Sequence, residues 1–127
     1  MRLDHAGIAA TDADELAGLY SDLLGAPVVH RERGDIRSVF LDVGDRYLEF
    51  LEPVDMDTDI GRYLREAGPG VHHLGFETAD LSVALDHAWE LGIGLIDEEP
   101  REGVWGHEIA FLDPDSTGGV LVEFFEE

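Results

Sequence analysis

The apolar positions of this chain change period in a set order, and the order runs twice. Residues 3–10, LDHAGIAA, have the length of a strand. In the next segment Leu16, Leu19, Tyr20, Leu23 and Leu24 fall at i, i+3, i+4, i+7 and i+8, a helical stripe expected to face the core. Asp12 and Glu15 are placed to cap that helix, and Gly25 with Pro27 to end it. Strands are expected over 28–33, 36–43 and 47–53, the last two joined by a hairpin turn at VGDR, 43–46. A second helical face, Ile60, Tyr63, Leu64 and Ala67, lies within residues 55–70 and stops at Gly68-Pro69-Gly70.

The pattern then restarts. VHHLGFET, 71–78, reads as a strand, and Leu81, Ala84, Leu85, Ala88 and Trp89 give a helical stripe closed by Gly92. IGLIDEE, HEIAFLDP and GVLVEFFE read as three further strands. The order is β-α-β-β-β, a linking helix, then β-α-β-β-β. Residues echo as well: LDHAGIA answers VHHLGFE, and FLDVGDRYLEFLE answers FLDPDSTGGVLVEFFE. Such a repeat implies two similar modules about a shared axis. Neither is large enough to be comfortable alone. Residues 1–127 are therefore expected to form one domain, with module one over 1–54, the linking helix within 55–70 and module two over 71–127.

Aligning the repeats singles out four residues. His5 and His73 hold equivalent places on the first strand of each module, and Glu49 and Glu123 on the last. Neighbours on a strand point to opposite faces, so His73 matches His5 while His72 matches Asp4 and turns away. Taken singly, each is an ordinary polar residue of a strand; their occurrence as two matched pairs makes a site. Two imidazoles and two carboxylates form a mixed N/O ligand set for Zn²⁺, Co²⁺, Mn²⁺, Ni²⁺ or Fe²⁺, and ligand type does not choose among them. On a six-coordinate ion, four protein ligands leave two positions for a chelating substrate.

Composition narrows the class. The chain carries 29 acidic and 8 basic residues, for a net charge of −21, and every basic residue is arginine. Such a balance excludes recognition of nucleic-acid phosphates. With no cysteine, a disulfide framework and a thiolate zinc site are excluded. No apolar run is long enough to span a bilayer. MRLDHAGIA lacks a basic segment followed by an apolar run, so no signal peptide and no membrane partner are expected, and the expected location is cytoplasmic. The absence of lysine beside so large a negative charge reads as halophilic adaptation.

The motifs LDHAGIA, LGAPV, VFLDVGDRYLEFLEP, GPGVHHLGFE, DEEPREG and STGGVLVEF span the chain from end to end. Together they resemble the vicinal oxygen chelate superfamily and, within it, the methylmalonyl-CoA epimerases. GVHHL with GGVLVE is the most specific part; FLDPD is closer to lactoylglutathione lyases and dioxygenase relatives. The resemblance implies an α+β fold in which two βαβββ modules form a curved eight-stranded mixed sheet, and a homodimer. It implies the metal ligands His5, Glu49, His73 and Glu123, although some members carry Gln at the Glu49 position, and it implies Glu123 as one catalytic base. It implies an acyl-CoA substrate, epimerised at C2, and a divalent cofactor, with Co²⁺ favoured over Zn²⁺, Mn²⁺, Ni²⁺ or Mg²⁺.

Some members place a second glutamate base on the strand that corresponds to IRSVFL. This chain has no acid there; Glu32 and Asp35 lie just before it, and His107 lies on the partner strand of module two. The second base is left open. Cations available to coenzyme A phosphates are Arg31, Arg33, Arg37 and Arg101. The alternatives are a lactoylglutathione lyase acting on a hemithioacetal with the same four ligands, and a ligand-binding protein of the same fold, which usually lacks the full ligand set.

Self-repulsion at this charge opposes the compact state, and molar salt, with a Debye length of about 3 Å, screens it. The thermal midpoint, followed by circular dichroism, is therefore expected to fall on dialysis from molar KCl to dilute buffer. An unchanged midpoint would remove the halophilic reading.

Overall fold

The computed structural model describes all residues, 1–127. The elements in chain order are β1 (Arg2–Ala9), α1 (Ala13–Leu24), β2 (Val28–Arg33), β3 (Ile36–Asp42), β4 (Tyr47–Pro53), α2 (Asp59–Ala67), β5 (Gly70–Glu77), α3 (Leu81–Glu90), β6 (Arg101–Glu102), β7 (Glu108–Phe111) and β8 (Val122–Glu126). The strands form one eight-stranded mixed sheet in the order β2-β3-β4-β1-β5-β8-β7-β6. No helix is long and apolar enough to cross a membrane. The chain divides into two compact units, His5–His72 and Met1–Asp4 with His73–Glu127; α2 belongs to the former.

In the unit His5–His72, β1 runs parallel to β4, and β3 lies antiparallel to both β4 and β2. Alternation sorts the side chains onto two faces. Ile8, Val39, Leu41 and Phe50 meet Ala13 and Ala17 of α1. On the other face Ala9 and Leu51 meet Ile60 and Leu64 of α2. Asp12 caps α1, its carboxylate accepting the Glu15 N–H at 3.0 Å, and Gly25 ends the helix with φ 65°. The 43–46 turn has positive φ at both Gly44 and Asp45, as a type I′ hairpin requires. Val43 N–H donates to the Arg46 carbonyl at 2.8 Å, and the Asp42 carboxylate accepts from Gly44 and Asp45.

The leucine stripe expected to bury α1 is not its buried face. Ala13 and Ala17 are buried, Leu16 and Tyr20 pack beside them, and Leu19, Leu23 and Leu24 are exposed, Leu23 at 72%. The sheet supplies the bulk here, through Val39, Leu41 and Phe50, so the helix approaches on its smallest side chains. In the unit of Met1–Asp4 and His73–Glu127, α3 repeats the arrangement. Leu81, Leu85 and Ala88 pack on Ala110 and Leu112, with Val122 and Phe124 beside them. Trp89, assigned to the same stripe, is exposed. Ala67 of α2 is likewise exposed.

The strand expected at IGLIDEE does not form. Residues 93–99 make one isolated bridge, Leu95 with Leu112, and the strand on that edge is the two-residue β6 beyond Pro100. Scattered backbone bonds and side-chain bonds take the place of a ladder. Ile96 and Asp97 N–H groups both donate to the Phe111 carbonyl, at 2.9 and 3.1 Å. The Asp97 carboxylate accepts the Phe111 N–H at 2.8 Å and the Arg101 Nε–H at 3.0 Å. Gly94 N–H donates to Ser116 Oγ at 2.9 Å. An acidic run ending at a proline, which has no N–H to give, makes a poor edge strand.

Asp97→Ala removes the acceptor for a backbone N–H and the partner of Arg101. It is expected to destabilise the fold by about 1–3 kcal/mol in urea unfolding. A loss below about 0.5 kcal/mol, the range of an ordinary surface change, would show that the segment does not depend on that carboxylate.

Candidate metal centre

The four residues singled out by the repeat are all buried, with Glu49 3% and Glu123 7% exposed. Their placement follows from strand register, and the register is the same in each unit. In β1, Gly7 lies beside Glu49 of the parallel strand β4. In β5, Gly75 lies beside Glu123 of the parallel strand β8. Each histidine stands two residues before its glycine and so on the same face. A glycine beside each glutamate leaves the neighbouring position without a side chain. On the far side of each glutamate is a phenylalanine: Phe40 opposite Glu49, and Phe111 opposite Glu123.

Within the unit His5–His72, His5 Nε2 lies 3.7 Å from Glu49 Oε1. Within the other unit, the His73 ring meets Phe111 edge to face, with centroids 5.7 Å apart. In that same unit, ligand atoms of His73 and Glu123 lie within 4.8 Å of one another, close enough to share a metal ion. His72 is half-buried and stacks edge to face on Tyr63 at 4.9 Å, apart from the cluster.

The donor set suits a divalent cation. Burial of carboxylates without compensation is costly, and buried charges are paired or coordinate metals. Imidazole nitrogens and carboxylate oxygens together suit first-row divalent ions.

Other candidates from the sequence are engaged elsewhere. His107 precedes β7 rather than lying in a strand, and its ring packs between Phe125 at 5.2 Å and Trp105 at 6.1 Å. Trp105 has φ 60°, a left-handed conformation uncommon for a bulky residue. Arg101 pairs with Asp97 and lies over the Phe111 ring at 5.6 Å. Arg31 and Arg37 both pair with Asp14 at 3.2 Å. The repeat did not single out Ser38. It is fully buried on β3, on the face of Phe40, and its hydroxyl has no hydrogen-bond partner. An orphaned hydroxyl leaves no mark in sequence, because burial is decided by packing.

The family model for the Glyoxalase/Bleomycin resistance protein/Dioxygenase superfamily matches residues 2–124. A Bacillus subtilis protein known as the uncharacterized protein YqjC is 37% identical, the match covering 98% of this chain and 91% of that protein. The mitochondrial methylmalonyl-CoA epimerase of Bos taurus is 35% identical, over 96% of this chain and 72% of that protein. The crystal structure of a Streptomyces coelicolor methylmalonyl-CoA epimerase variant in complex with 2-nitronate-propionyl-CoA superposes with a TM-score of 0.93. Its sequence identity is 35%, and the match covers 100% of this chain and 94% of that one.

Proposed function

The chain belongs to the Glyoxalase/Bleomycin resistance protein/Dioxygenase superfamily, and from that premise we propose that it catalyses the metal-dependent epimerisation of methylmalonyl-CoA at C2. The observation that carries this reading is the end-to-end likeness to proteins named for that reaction, one of them bound to an acyl-CoA. His5, Glu49, His73 and Glu123 are the proposed metal ligands, and Glu123 the proposed base. Their burial and matched register support the assignment. The reading includes a divalent ion, with Co²⁺ foremost, a homodimer and a cytoplasmic setting at high salt.

The chemistry follows from the substrate. Its C2–H lies between a thioester carbonyl and a carboxylate, so the carbanion formed there is delocalised as an enolate. A divalent ion held by this donor set supplies positive charge for the oxygens on which negative charge develops. The Glu123 carboxylate takes the C2 proton, and the C–H electron pair passes into the thioester carbonyl. A proton delivered to C2 from the other side then completes the inversion. The buried ligand face limits water at the reacting carbon, and the fixed strands hold Glu123 in place.

In deuterated buffer with molar KCl and Co²⁺, the C2 proton signal of methylmalonyl-CoA is expected to disappear, and a chelator to stop the exchange. Absence of exchange in folded, metal-loaded protein would overturn the epimerase reading. Glu123→Gln is expected to lower turnover by about 10²–10⁴-fold. His73→Ala is expected to weaken Co²⁺ binding, measured by titration calorimetry, by more than the about 10–100-fold that loss of a supporting partner costs. His72→Ala is expected to leave Co²⁺ affinity close to wild type. Equal losses at the two histidines would contradict the ligand assignment.

A further inference from the structure

The unit of Met1–Asp4 and His73–Glu127 supplies two of the proposed ligands, His73 and Glu123, and both lie beside Phe111. Neither the metal chemistry nor the proton transfer proposed above uses Phe111 or the groups behind it. We infer that Arg101 is a positioning residue for this ligand pair, acting through the Phe111 ring, an inference that rests on the ligand assignment above.

Phe111 is fixed first through its backbone. Its N–H donates to the Asp97 carboxylate at 2.8 Å, and its carbonyl accepts the Ile96 and Asp97 N–H groups at 2.9 and 3.1 Å. Both polar groups of Phe111 therefore point away from β8. In the next pair along, Leu112 N–H donates to the Val122 carbonyl at 3.0 Å. Bonded and non-bonded pairs alternate along an antiparallel ladder, so Phe111 and Glu123 form a non-hydrogen-bonded pair, the kind in which facing side chains lie closest. The Phe111 ring thus stands beside the Glu123 side chain on the ligand face, and it meets the buried His73 ring edge to face.

The ring is held again from β6. Arg101 lies opposite Ile109 in the β6–β7 pairing. Phe111 is two residues further along β7 and so on the same face, a diagonal neighbour within reach of a long side chain. The guanidinium carbon is 5.6 Å from the Phe111 centroid, within the range of a cation–π contact. Arg101 Nε–H donates to Asp97 at 3.0 Å, so one carboxylate holds both the guanidinium and the Phe111 backbone. The end of β6 is seated tightly on β7. Gly103 N–H donates to the His107 carbonyl at 2.8 Å, and a Cβ on Gly103 would lie 2.8 Å from Ile109 side-chain carbons.

A ring clamped in this way restricts the orientations open to the His73 imidazole and keeps its nitrogen where Glu123 can share an ion with it. Groups that orient metal ligands without touching the metal change metal affinity by about 10–100-fold. Arginine suits the role, because its planar guanidinium stacks on a ring and bonds a carboxylate at the same time, which a compact ammonium does less well. A pure charge effect has the opposite sign. Removing a cation from the neighbourhood of a divalent ion would, by Coulomb's law alone, tighten metal binding.

The sign of the change is therefore the test. Co²⁺ binding is measured by titration calorimetry, with the fold of each variant checked by circular dichroism and urea unfolding. Arg101→Ala is expected to weaken Co²⁺ binding by about 10–100-fold. Arg101→Lys, which keeps the charge but not the plane, should recover part of that loss. Phe111→Leu changes no charge and should weaken binding in the same direction. The visible absorption of the bound Co²⁺ should change in Arg101→Ala and return toward wild type in Arg101→Lys. Affinity in folded Arg101→Ala equal to or tighter than wild type would overturn the inference and leave the ligand assignment intact. If Arg101→Ala does not fold, the other two variants decide, and wild-type affinity in both would overturn it. Absence of Co²⁺ binding by the wild-type protein would overturn the ligand assignment and this inference together.

Discussion

Two parallel strand pairings, β1 with β4 and β5 with β8, set the position of every proposed ligand. In each, a glycine lies beside a glutamate, and a histidine stands two residues before the glycine on the same face. A one-residue slip in either pairing would turn the glutamate to the helix side and bring an apolar side chain into its place. The register is guarded from both faces. On the helix side Phe50 and Phe124 must meet α1 and α3. On the ligand side the carboxylates must find compensation for their burial. The apolar core therefore holds the chemistry in place, since the residues alternating with the ligands are the ones it buries.

The helices play a different part from the one their apolar stripes suggest. Both approach the sheet on small or medium residues, Ala13 and Ala17 in one case, Ala84 and Ala88 with leucines in the other. This leaves Leu19, Leu23 and Trp89 in the open. With α1 packed on the opposite face of its unit, Ile60 and Leu64 of α2 meet Ala9 and Leu51 on the ligand face. The strands that carry His5, Glu49, Glu32 and Ser38 thus hold these polar side chains on one face and bury Val39, Leu41 and Phe50 on the other.

The acidity of the chain acts at several levels. Most carboxylates lie outside the strands' buried positions, where they repel one another unless screened. A few have structural duties: Asp12 and Asp80 cap helices, Asp42 closes a hairpin, and Asp97 replaces a strand's ladder with side-chain hydrogen bonds. The arginines are drawn into this network, as Arg31 and Arg37 share Asp14 and Arg101 pairs with Asp97. Asp97 is also coupled to the proposed site, because the N–H it accepts belongs to Phe111, whose ring meets His73.

Period and repetition were enough to reveal the element order and the four matched residues. Strands alternate with a period of two, so the contrast between His72 and His73 is written in the chain itself and agrees with the burial of His73 alone. Turn chemistry was equally local: Gly44-Asp45 and the Asp12 cap depend only on near neighbours. What sequence could not decide were matters of distance between remote segments. Whether Leu23 or Ala17 faces the core depends on the bulk of strands far along the chain. Whether 93–99 pairs as a strand depends on Phe111 and Ser116 competing for its hydrogen bonds. Likewise the grouping of Glu32, His30 and Ser38 on the face of Glu49 exists only once β2, β3 and β4 are in register. Local period selects the faces a segment can offer, and only packing selects which partners those faces meet.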